Sequence, residues 1–285
     1  MKSRTRRENP QLPFQADKGD HLLRVDSLRV CYKTDRAVID AVDDVDFSIR
    51  RGEAFGMAGE SGSGKSTVAQ TILKLLPANA EVKSGEVVFE GEDLLKMQEE
   101  EFRRRFRWRR IAAVPQAAMN SLTPVLRVRS QIVEAILAHE RVDVAEAGSR
   151  ADMLLEMVGI PKNRGEDYPH QFSGGMKQRA VIAMSLACNP SLLVADEPTT
   201  GLDVIAQAEI LELLRDLKKR LGLSLLFITH DISILPALCD RVVIMHEGRI
   251  VEESSPTLLF SNPTHPYTRE LVESLPSLEK YGVWE

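Results

Sequence analysis

The sequence of 285 residues predicts an α/β fold with a mainly parallel core sheet, an antiparallel β subdomain and an inserted helical subdomain. Three patterns predict this fold. Alternating, half-buried strands come first, buried-type apolar strands alternate with helices later, and two amphipathic helical segments lie between them. Hydrophobic residues make up 43% of the chain and charged residues 28%, which is typical of a globular protein with a sizeable core.

Composition excludes several classes of protein. The net charge of −5 shows that the chain is mildly acidic and not a polycation. The longest apolar run, at 180–188, has about half of the roughly 18 residues that a membrane-spanning helix needs, so we expect no membrane-spanning helix. The basic N-terminus leads into no apolar segment and so does not resemble a secretory signal. Three widely spaced cysteines suggest neither a disulfide framework nor a cysteine-only metal site. We therefore expect a protein that stays in the cytosol.

The first third of the chain predicts strands followed by a glycine loop and a helix. Residues 1–21 lack a hydrophobic period and are expected to form a flexible extension. Alternation over 22–32 and 41–49 predicts the antiparallel strands. AFGMA at 54–58 is a compact apolar strand, and VAQTILKLL at 68–76 has helical spacing up to Pro77. The glycine-rich segment between them therefore joins a strand to a helix.

The middle and last thirds predict the helical subdomain and the rest of the core sheet. Strands are expected at 85–91 and 111–115, with a charged helix between them, and amphipathic helices at 130–140 and 151–160 fall in a helical subdomain of about 117–178. Buried strands at 191–197 and 223–230 flank a helix at 205–221. A hairpin over 242–253 turns at Glu247-Gly248. We expect one domain over 22–256 and a tail over 257–285 with a short helix near 269–275.

The glycine-rich segment carries a phosphate-binding pattern. It matches G-x-x-x-x-G-K-[ST] at Gly59, Glu60, Ser61, Gly62, Ser63, Gly64, Lys65 and Ser66, with Thr67 next. Its glycines let successive backbone N–H groups curl around phosphate oxygens at a helix N-terminus. Lys65 is expected to neutralise the β and γ phosphates of a nucleotide, and the Ser66 hydroxyl to bind Mg²⁺.

Two adjacent acids end the apolar strand SLLVADE at 191–197. Asp196 is predicted to lie on the metal side, while Glu197 faces the γ phosphate and acts as general base toward water. Alone, such acids are as well explained by a helix cap at a strand end. The phosphate loop upstream favours the catalytic interpretation.

The segment FSGGMKQR at 172–179 resembles the LSGGQ signature motif of ABC ATPases, with Phe for Leu and Met for Gln. Other motifs follow the order of that family. Gln116 resembles its Q-loop glutamine, Gly201-Leu202-Asp203 its D-loop, and His230 its H-loop histidine. The resemblance covers about residues 22–256.

This resemblance implies roles for further residues. The signature residues Ser173, Gly174, Gly175 and Met176 would contact ATP held by an opposite subunit, so that two ATPs lie between two such domains and one chain alone hydrolyses ATP poorly. Gln116 would offer its amide oxygen to Mg²⁺. His230 would bind the γ phosphate and hold Glu197, although a lone histidine at a strand end is often a structural cap. Asp203 would couple the two sites across the dimer.

A weaker assignment concerns the base of the nucleotide. Tyr32 resembles the aromatic residue that stacks on adenine in this family, and it could equally be a plain aromatic of the sheet.

Three segments resemble the ATP-binding subunits of oligopeptide, dipeptide and nickel importers: 116–124, 168–179, and the His-Pro-Tyr segment at 262–276. The resemblance implies a peripheral subunit on the cytoplasmic face of the inner membrane. Its partners would be a second copy or a different ABC ATPase, two transmembrane permeases and, indirectly, an extracytoplasmic solute-binding protein. Many such subunits bind an iron–sulfur cluster beyond the His-Pro-Tyr segment, but this chain has no cysteine after Cys239, so no cluster is expected.

Two other functions remain open at this point. A soluble assembly such as carbon–phosphorus lyase uses an ABC ATPase that resembles the same group. The stretch RRRFRWRR at 103–110 is the one feature that suggests nucleic acid, and we expect instead a solvated or subunit-facing helix and no nucleic-acid partner. The solute is also open, and peptide, nickel, oligosaccharide and opine are all compatible with the sequence.

Overall fold

The structure, a computed structural model, describes residues 21–275. The predicted N-terminal extension up to residue 20 and the last ten residues of the tail lie outside this range. The strands are β1 (His21–Lys33), β2 (Val38–Arg50), β3 (Ala54–Ala58), β4 (Ala80–Phe89), β5 (Glu92–Asp93), β6 (Ile111–Val114), β7 (Leu192–Asp196), β8 (Ser224–Thr229), β9 (Arg241–His246) and β10 (Arg249–Ser254). The α-helices are α1 (Lys65–Ile72), α2 (Glu99–Arg105), α3 (Val128–His139), α4 (Val144–Met157), α5 (Gly174–Ser185), α6 (Val204–Leu221), α7 (Pro256–Ser261) and α8 (Pro266–Glu273).

Two sheets form within the described residues. The first is antiparallel, with the strand order β2-β1-β4-β5. The second has the order β10-β9-β3-β8-β7-β6, and all of its strand pairs are parallel except the β9–β10 hairpin. The expected α/β class, with a mainly parallel core sheet and an antiparallel subdomain, is therefore confirmed.

Hydrophobic residues fill both faces of the parallel sheet. On β8, Leu226 and Ile228 belong to the cluster shared with the antiparallel sheet, α1 and α2, whereas Leu225 and Phe227 belong to the cluster shared with helices α3 to α7. Phe47 of β2 stacks on Phe55 of β3, with ring centroids 5.2 Å apart, and so links the two sheets. A strand buried on both sides explains why the sequence of β8 is continuously apolar.

Several element boundaries differ from the predicted ones, and capping explains the clearest cases. Helix α4 begins at Val144 because the Asp143 side chain accepts a hydrogen bond from the Glu146 N–H at 2.8 Å. Helix α7 was not predicted. Pro256 occupies its first turn, where proline is compatible with a helix, and the Ser255 hydroxyl caps it. Helix α8 likewise starts at Pro266 rather than near residue 269.

The tail packs against the body of the protein. Partly buried Tyr267, Leu271 and Val272 lie against the hydrophobic cluster on the helical side of the core sheet. The division into a domain at 22–256 and a tail at 257–285 stays a prediction. Across residues 21–275, the structure contains no helix with the length and apolar character required to cross a membrane.

Truncating the middle of the core sheet should destabilise the protein. Leu226 is fully buried on β8, so Leu226→Ala should lower the free energy of unfolding by about 2–5 kcal/mol, through lost burial and the cavity left behind. Leu258 of α7 is 55% exposed and provides the matched control, since Leu258→Ala should change the free energy of unfolding by about 0.5 kcal/mol or less. Urea unfolding of both variants measures the difference, and equal losses would contradict this account of the core.

Candidate functional site

Four neighbouring parallel strands end at one edge of the core sheet, and each is followed by a residue or segment assigned to the site. The phosphate loop follows β3, Gln116 follows β6, Glu197 follows β7 and His230 follows β8. Because β6, β7, β8 and β3 are adjacent and parallel, their carboxyl ends lie side by side. The fold thus brings together residues from positions 59 to 230.

The phosphate loop is fitted closely against two backbone segments. Gly59 has φ of +146°, and a Cβ there would lie 2.1 Å from the Met245 carbonyl oxygen. Gly64 has φ of +104°, and its Cβ would lie 2.4 Å from the Ala41 carbonyl oxygen. Both positions therefore exclude any side chain, through backbone conformation and through space. The loop keeps its curvature because β2 and β9 support it from outside.

Lys65 points its ammonium group into the loop. The residue is only 4% exposed, and its Nζ donates hydrogen bonds to the carbonyl oxygens of Gly59 at 2.8 Å and Glu60 at 2.7 Å. Burial lowers the pKa of Lys65, and the nearby carboxylates of Glu197 and Asp196 act in the opposite direction. The arrangement places a positive charge where the sequence predicts phosphate.

The side chains of Ser66 and Asp196, both predicted to bind the metal, lie next to each other. The Ser66 hydroxyl donates to Oδ1 of Asp196 at 3.2 Å. Burial raises the pKa of Asp196 and the hydrogen bond from Ser66 lowers it, the net result being a raised pKa. Across residues 21–275, no three His, Cys, Asp or Glu side chains cluster as metal ligands. A hydroxyl and one carboxylate nevertheless fit Mg²⁺, which prefers oxygen and takes most of its ligands from water and phosphate.

Glu197 is the centre of the polar contacts in the site. Its Oε1 lies 3.0 Å from Nδ1 of His230, and its Oε2 accepts hydrogen bonds from the Thr200 hydroxyl at 3.0 Å and from Nε2 of Gln116 at 3.3 Å. Burial raises the pKa of Glu197, but the hydrogen bonds from His230 and Thr200 outweigh it and hold the pKa below its ordinary value. The carboxylate is therefore ionised at neutral pH.

Two of these contacts differ from the sequence-based expectations. Gln116 was expected to present its amide oxygen to a metal, and in the structure its amide nitrogen contacts Glu197. The metal role of Gln116 stays a prediction. Thr200 was missed, although its hydroxyl three residues after Glu197 is a local signal that could have identified it.

A cavity of about 360 Å³ opens above the phosphate loop. Its lining includes Tyr32, Ser61, Gly62, Lys65, Ser66, Thr67, Gln116 and Glu197. The Tyr32 hydroxyl lies 3.2 Å from the Thr67 hydroxyl, so the tyrosine ring stands beside the N-terminus of α1. Five of these eight residues lie in or directly after the phosphate loop, and Gln116 and Glu197 come from two other motifs far away in the sequence. Tyr32 is the aromatic residue predicted to stack on adenine.

The signature residues lie in a different cavity, of about 300 Å³. Ser173, Gly174, Gly175 and Met176 line it together with Gly201, Leu202 and Asp203. Ser173 caps α5, accepting from the Met176 N–H at 3.3 Å, and Asp203 caps α6, accepting from the Ala206 N–H at 2.8 Å. No residue lines both this cavity and the one above the phosphate loop. The structure therefore brings Asp203 to the signature residues, at a different cavity from the one lined by Glu197.

The arginine-rich stretch is largely paired with carboxylates. Arg103 contacts Glu100, Arg105 contacts Glu92 and Glu101, Arg107 contacts Glu99, and Arg110 contacts Glu90. Of the two aromatic residues in the stretch, Phe106 is fully buried, and partly buried Trp108 stacks on the ring of His139, with centroids 5.6 Å apart. These contacts favour a structural role for the stretch over nucleic-acid binding.

Comparison with known proteins identifies the family. Residues 42–200, more than half of the chain, match the ABC transporter family. The chain is 49% identical over 262 residues to a protein of Sinorhizobium fredii named "Probable peptide ABC transporter ATP-binding protein", covering 91% of this chain and 78% of that one. The chain belongs to the ABC transporter family. Its resemblance to ABC ATPases is thereby confirmed.

Two further ABC proteins agree with this assignment. The oligopeptide transport ATP-binding protein OppD of Bacillus subtilis is 46% identical over 264 residues, which cover 92% of this chain and 74% of that protein. A solved dimeric ATP-binding cassette in a post-hydrolysis state, bound to ADP and Pi, matches with a TM-score of 0.73 and 28% identity. That match covers 82% of this chain and 98% of the solved one. Membership in the ABC family means that this chain binds and hydrolyses ATP.

The hydrogen bonds at Glu197 predict a pH dependence of stability in this ABC protein. Its folded pKa lies below the ordinary value of 4.5, so the carboxylate stabilises the fold fully above pH 4.5 and loses this effect as the pH falls through the folded pKa. The difference in unfolding free energy between wild type and Glu197→Gln should therefore shrink on acidification.

Urea unfolding from about pH 7 to about pH 3.5 measures this difference. Glu212, whose side chain is 76% exposed, provides the control, because the effect of Glu212→Gln should vary much less with pH. A wild-type advantage that stays constant over the whole pH range would contradict the assigned contacts.

Proposed function

We propose that this chain is the ATP-hydrolysing subunit of an ABC importer for peptides or related solutes of the dipeptide, oligopeptide and nickel class. The observation that carries the proposal is the meeting of Lys65, Ser66 and Glu197 at one cavity, with Asp196 hydrogen-bonded to Ser66, while the signature segment lines a different cavity. The names of the peptide-transport relatives support the solute class. They favour the importer over a soluble assembly of the carbon–phosphorus lyase type.

In this proposal, the P-loop binds the phosphates of ATP. Backbone N–H groups of the loop and the N-terminus of α1 face the phosphate oxygens, and the Lys65 ammonium exchanges its carbonyl partners for the β and γ phosphates. Tyr32 stands beside the same cavity and would stack on adenine. The cavity thus offers a charged end for phosphate and an aromatic residue for the base.

Ser66, Asp196 and Gln116 would hold Mg²⁺ at the other side of the phosphates. Bound Mg²⁺ supplies positive charge that stabilises the phosphate oxygens during transfer. Ser66 and Asp196 are already within hydrogen-bond distance of each other, which supports their assignment as neighbouring ligands.

Glu197 is proposed to orient the attacking water and accept its proton. Its carboxylate is ionised at neutral pH, and His230, Thr200 and Gln116 fix its orientation. Attack in line with the leaving group then transfers the terminal phosphoryl group to water. His230 is half exposed, and we propose that it also hydrogen-bonds the γ phosphate and so positions both the base and the substrate.

Completion of the site requires a second ATPase domain. In this chain, a Cβ on Gly175 would meet only the Ala206 Cβ, at 3.5 Å, which is an ordinary contact. The chain itself therefore has room for a side chain there, and the open backbone instead suits a ligand that approaches from outside. We propose that this ligand is the ATP bound by the opposite subunit, a second copy of this chain or a different ABC ATPase.

The proposal places the protein on the cytoplasmic face of the inner membrane, attached to two permease subunits. Closure of the ATPase dimer would be transmitted to the permeases through the region of Gln116 and the helical subdomain. An extracytoplasmic binding protein would select the solute and contact this chain only indirectly. We propose no iron–sulfur cluster and no nucleic-acid partner.

A variant that lacks the proposed general base tests the proposal that this chain powers an importer. Glu197→Gln should bind ATP normally and lose about 10²- to 10⁴-fold in hydrolysis, because the amide cannot accept the proton of water. It should also trap the closed dimer. The surface variant Glu212→Gln serves as the control and should retain wild-type activity in both assays.

Affinity purification of Glu197→Gln from detergent-solubilised cells, in ATP and Mg²⁺, then identifies the partners by mass spectrometry. Recovery of two polytopic permeases, with or without a second ATPase, is the expected result. Recovery of only soluble enzyme subunits or of nucleic acid would refute the importer while leaving the ATPase assignment intact.

A mixing experiment tests whether the site is shared between two copies of the chain. Lys65→Ala disables the P-loop, and Gly175→Glu places a negative charge on the signature backbone, so each variant alone should be inactive. In an equal mixture, about one quarter of the sites combine an intact P-loop with an intact signature, so part of the ATPase activity should return. No recovery would contradict a homodimeric composite site, and activity restored only by a different ABC ATPase would indicate a heterodimer.

A further inference from the structure

The start of α8 contacts the phosphate loop directly. The Tyr267 hydroxyl accepts a hydrogen bond from the Glu60 backbone N–H at 3.2 Å, across 207 residues of sequence. The tyrosine ring stacks on the ring of His246, with centroids 3.8 Å apart and an angle of 28° between their planes. His246 ends β9, which is the strand paired with β3. Tyr267 thus lies between the core sheet and the outer side of the loop.

A buried carboxylate fixes the position of this tyrosine. Glu252 of β10 is 4% exposed, and its two oxygens accept hydrogen bonds from the backbone N–H groups of Thr264 and His265, both at 2.9 Å. Burial raises the pKa of Glu252, and hydrogen bonds, foremost those from the two backbone N–H groups, lower it, so that the net pKa lies below its ordinary value. The Tyr267 N–H in turn donates to Nδ1 of His265 at 3.3 Å. The first turn of α8 is therefore attached to the hairpin and cannot move independently of it.

Tyr267 and Lys65 hold the same peptide unit from opposite sides. The peptide bond between Gly59 and Glu60 presents its carbonyl oxygen to the Lys65 ammonium at 2.8 Å and its N–H to the Tyr267 hydroxyl. When Lys65 engages phosphate, that carbonyl oxygen loses its charged partner. The contact with Tyr267 then becomes the remaining side-chain restraint on this peptide unit.

We infer that Tyr267 is a positioning residue for the phosphate loop, through which the C-terminal segment sets the affinity for ATP. The inference rests on the proposed ATP site. The Tyr267 hydroxyl restrains the Gly59–Glu60 peptide unit more strongly in the nucleotide-bound state than in the free state. This is because Lys65 also holds that peptide unit only in the free state. Among residues 21–275, Tyr267 makes no hydrogen bond to Glu197 or His230, so it is expected to act on binding rather than on the chemical step.

The test removes only the hydroxyl. Tyr267→Phe in the full-length chain keeps the ring that stacks on His246 and leaves the Glu60 N–H without its partner. The loss of one neutral hydrogen bond should weaken ATP binding roughly threefold to tenfold. KM for ATP should rise by a similar factor, whereas kcat at saturating ATP and the thermal midpoint should stay close to those of wild type.

Ser274 provides a matched control at the other end of α8. Its hydroxyl donates to the Leu271 carbonyl oxygen at 2.7 Å and is exposed, so Ser274→Ala removes a hydroxyl from the same segment without touching the loop. Titration with a fluorescent ATP analogue measures the affinity of wild type and both variants. Steady-state hydrolysis separates KM from kcat, and a thermal melt reports on stability.

The outcomes distinguish this inference from the proposed function. Weaker binding by Tyr267→Phe alone, with unchanged melting and kcat, supports the inference. Wild-type affinity for the ATP analogue in Tyr267→Phe overturns the inference and leaves the ATPase assignment intact. A lowered melting temperature with an unchanged KM has the same meaning, because it indicates that Tyr267 has a structural role only. A wild-type chain that fails to bind the analogue overturns both.

Discussion

The parallel register of four strands is the constraint on which the site depends. Ala58 of β3 pairs with Thr229 of β8, Ile228 of β8 pairs with Asp196 of β7, and Ala195 of β7 pairs with Val114 of β6. The residues that follow these positions therefore emerge at one level of the sheet edge. The Glu197 N–H donates to the Ile228 carbonyl oxygen at 2.9 Å and continues this register one residue beyond β7. A slipped strand would carry its functional residue away from the others.

Local patterns in the sequence were enough to predict much of the fold and the phosphate-binding part of the site. The P-loop and the two acids at the end of β7 are short motifs whose chemistry can be understood residue by residue, and continuous apolar runs indicated the parallel strands. The signature, Gln116, Asp203 and His230 were assigned only through family resemblance. No local physical signal singles out one glutamine or one histidine in a chain of this length.

The contacts that escaped prediction are those made across long stretches of sequence. Gln116 reaches Glu197 across 81 residues, and the Glu60 backbone reaches Tyr267 across 207. Such pairs depend on the packing of whole elements, which periodicity within a window does not encode. Helix α7 was missed, although Pro256 is compatible with its first turn, where the lack of an N–H costs almost nothing. The predicted helix boundaries were therefore wrong where capping residues determine the start of the helix.

The backbone at Glu197 has a consequence for the evolution of stability in this protein. Its φ of +49° lies in the left-handed region, which costs a residue with a side chain on the order of 1–3 kcal/mol and costs glycine almost nothing. The sheet register and the hydrogen bond to Ile228 hold the residue there despite this preference. A chain carrying glycine at this position would relax the strain and would lack the carboxylate that we propose activates water. Relief of the backbone strain alone would therefore favour a protein without this carboxylate.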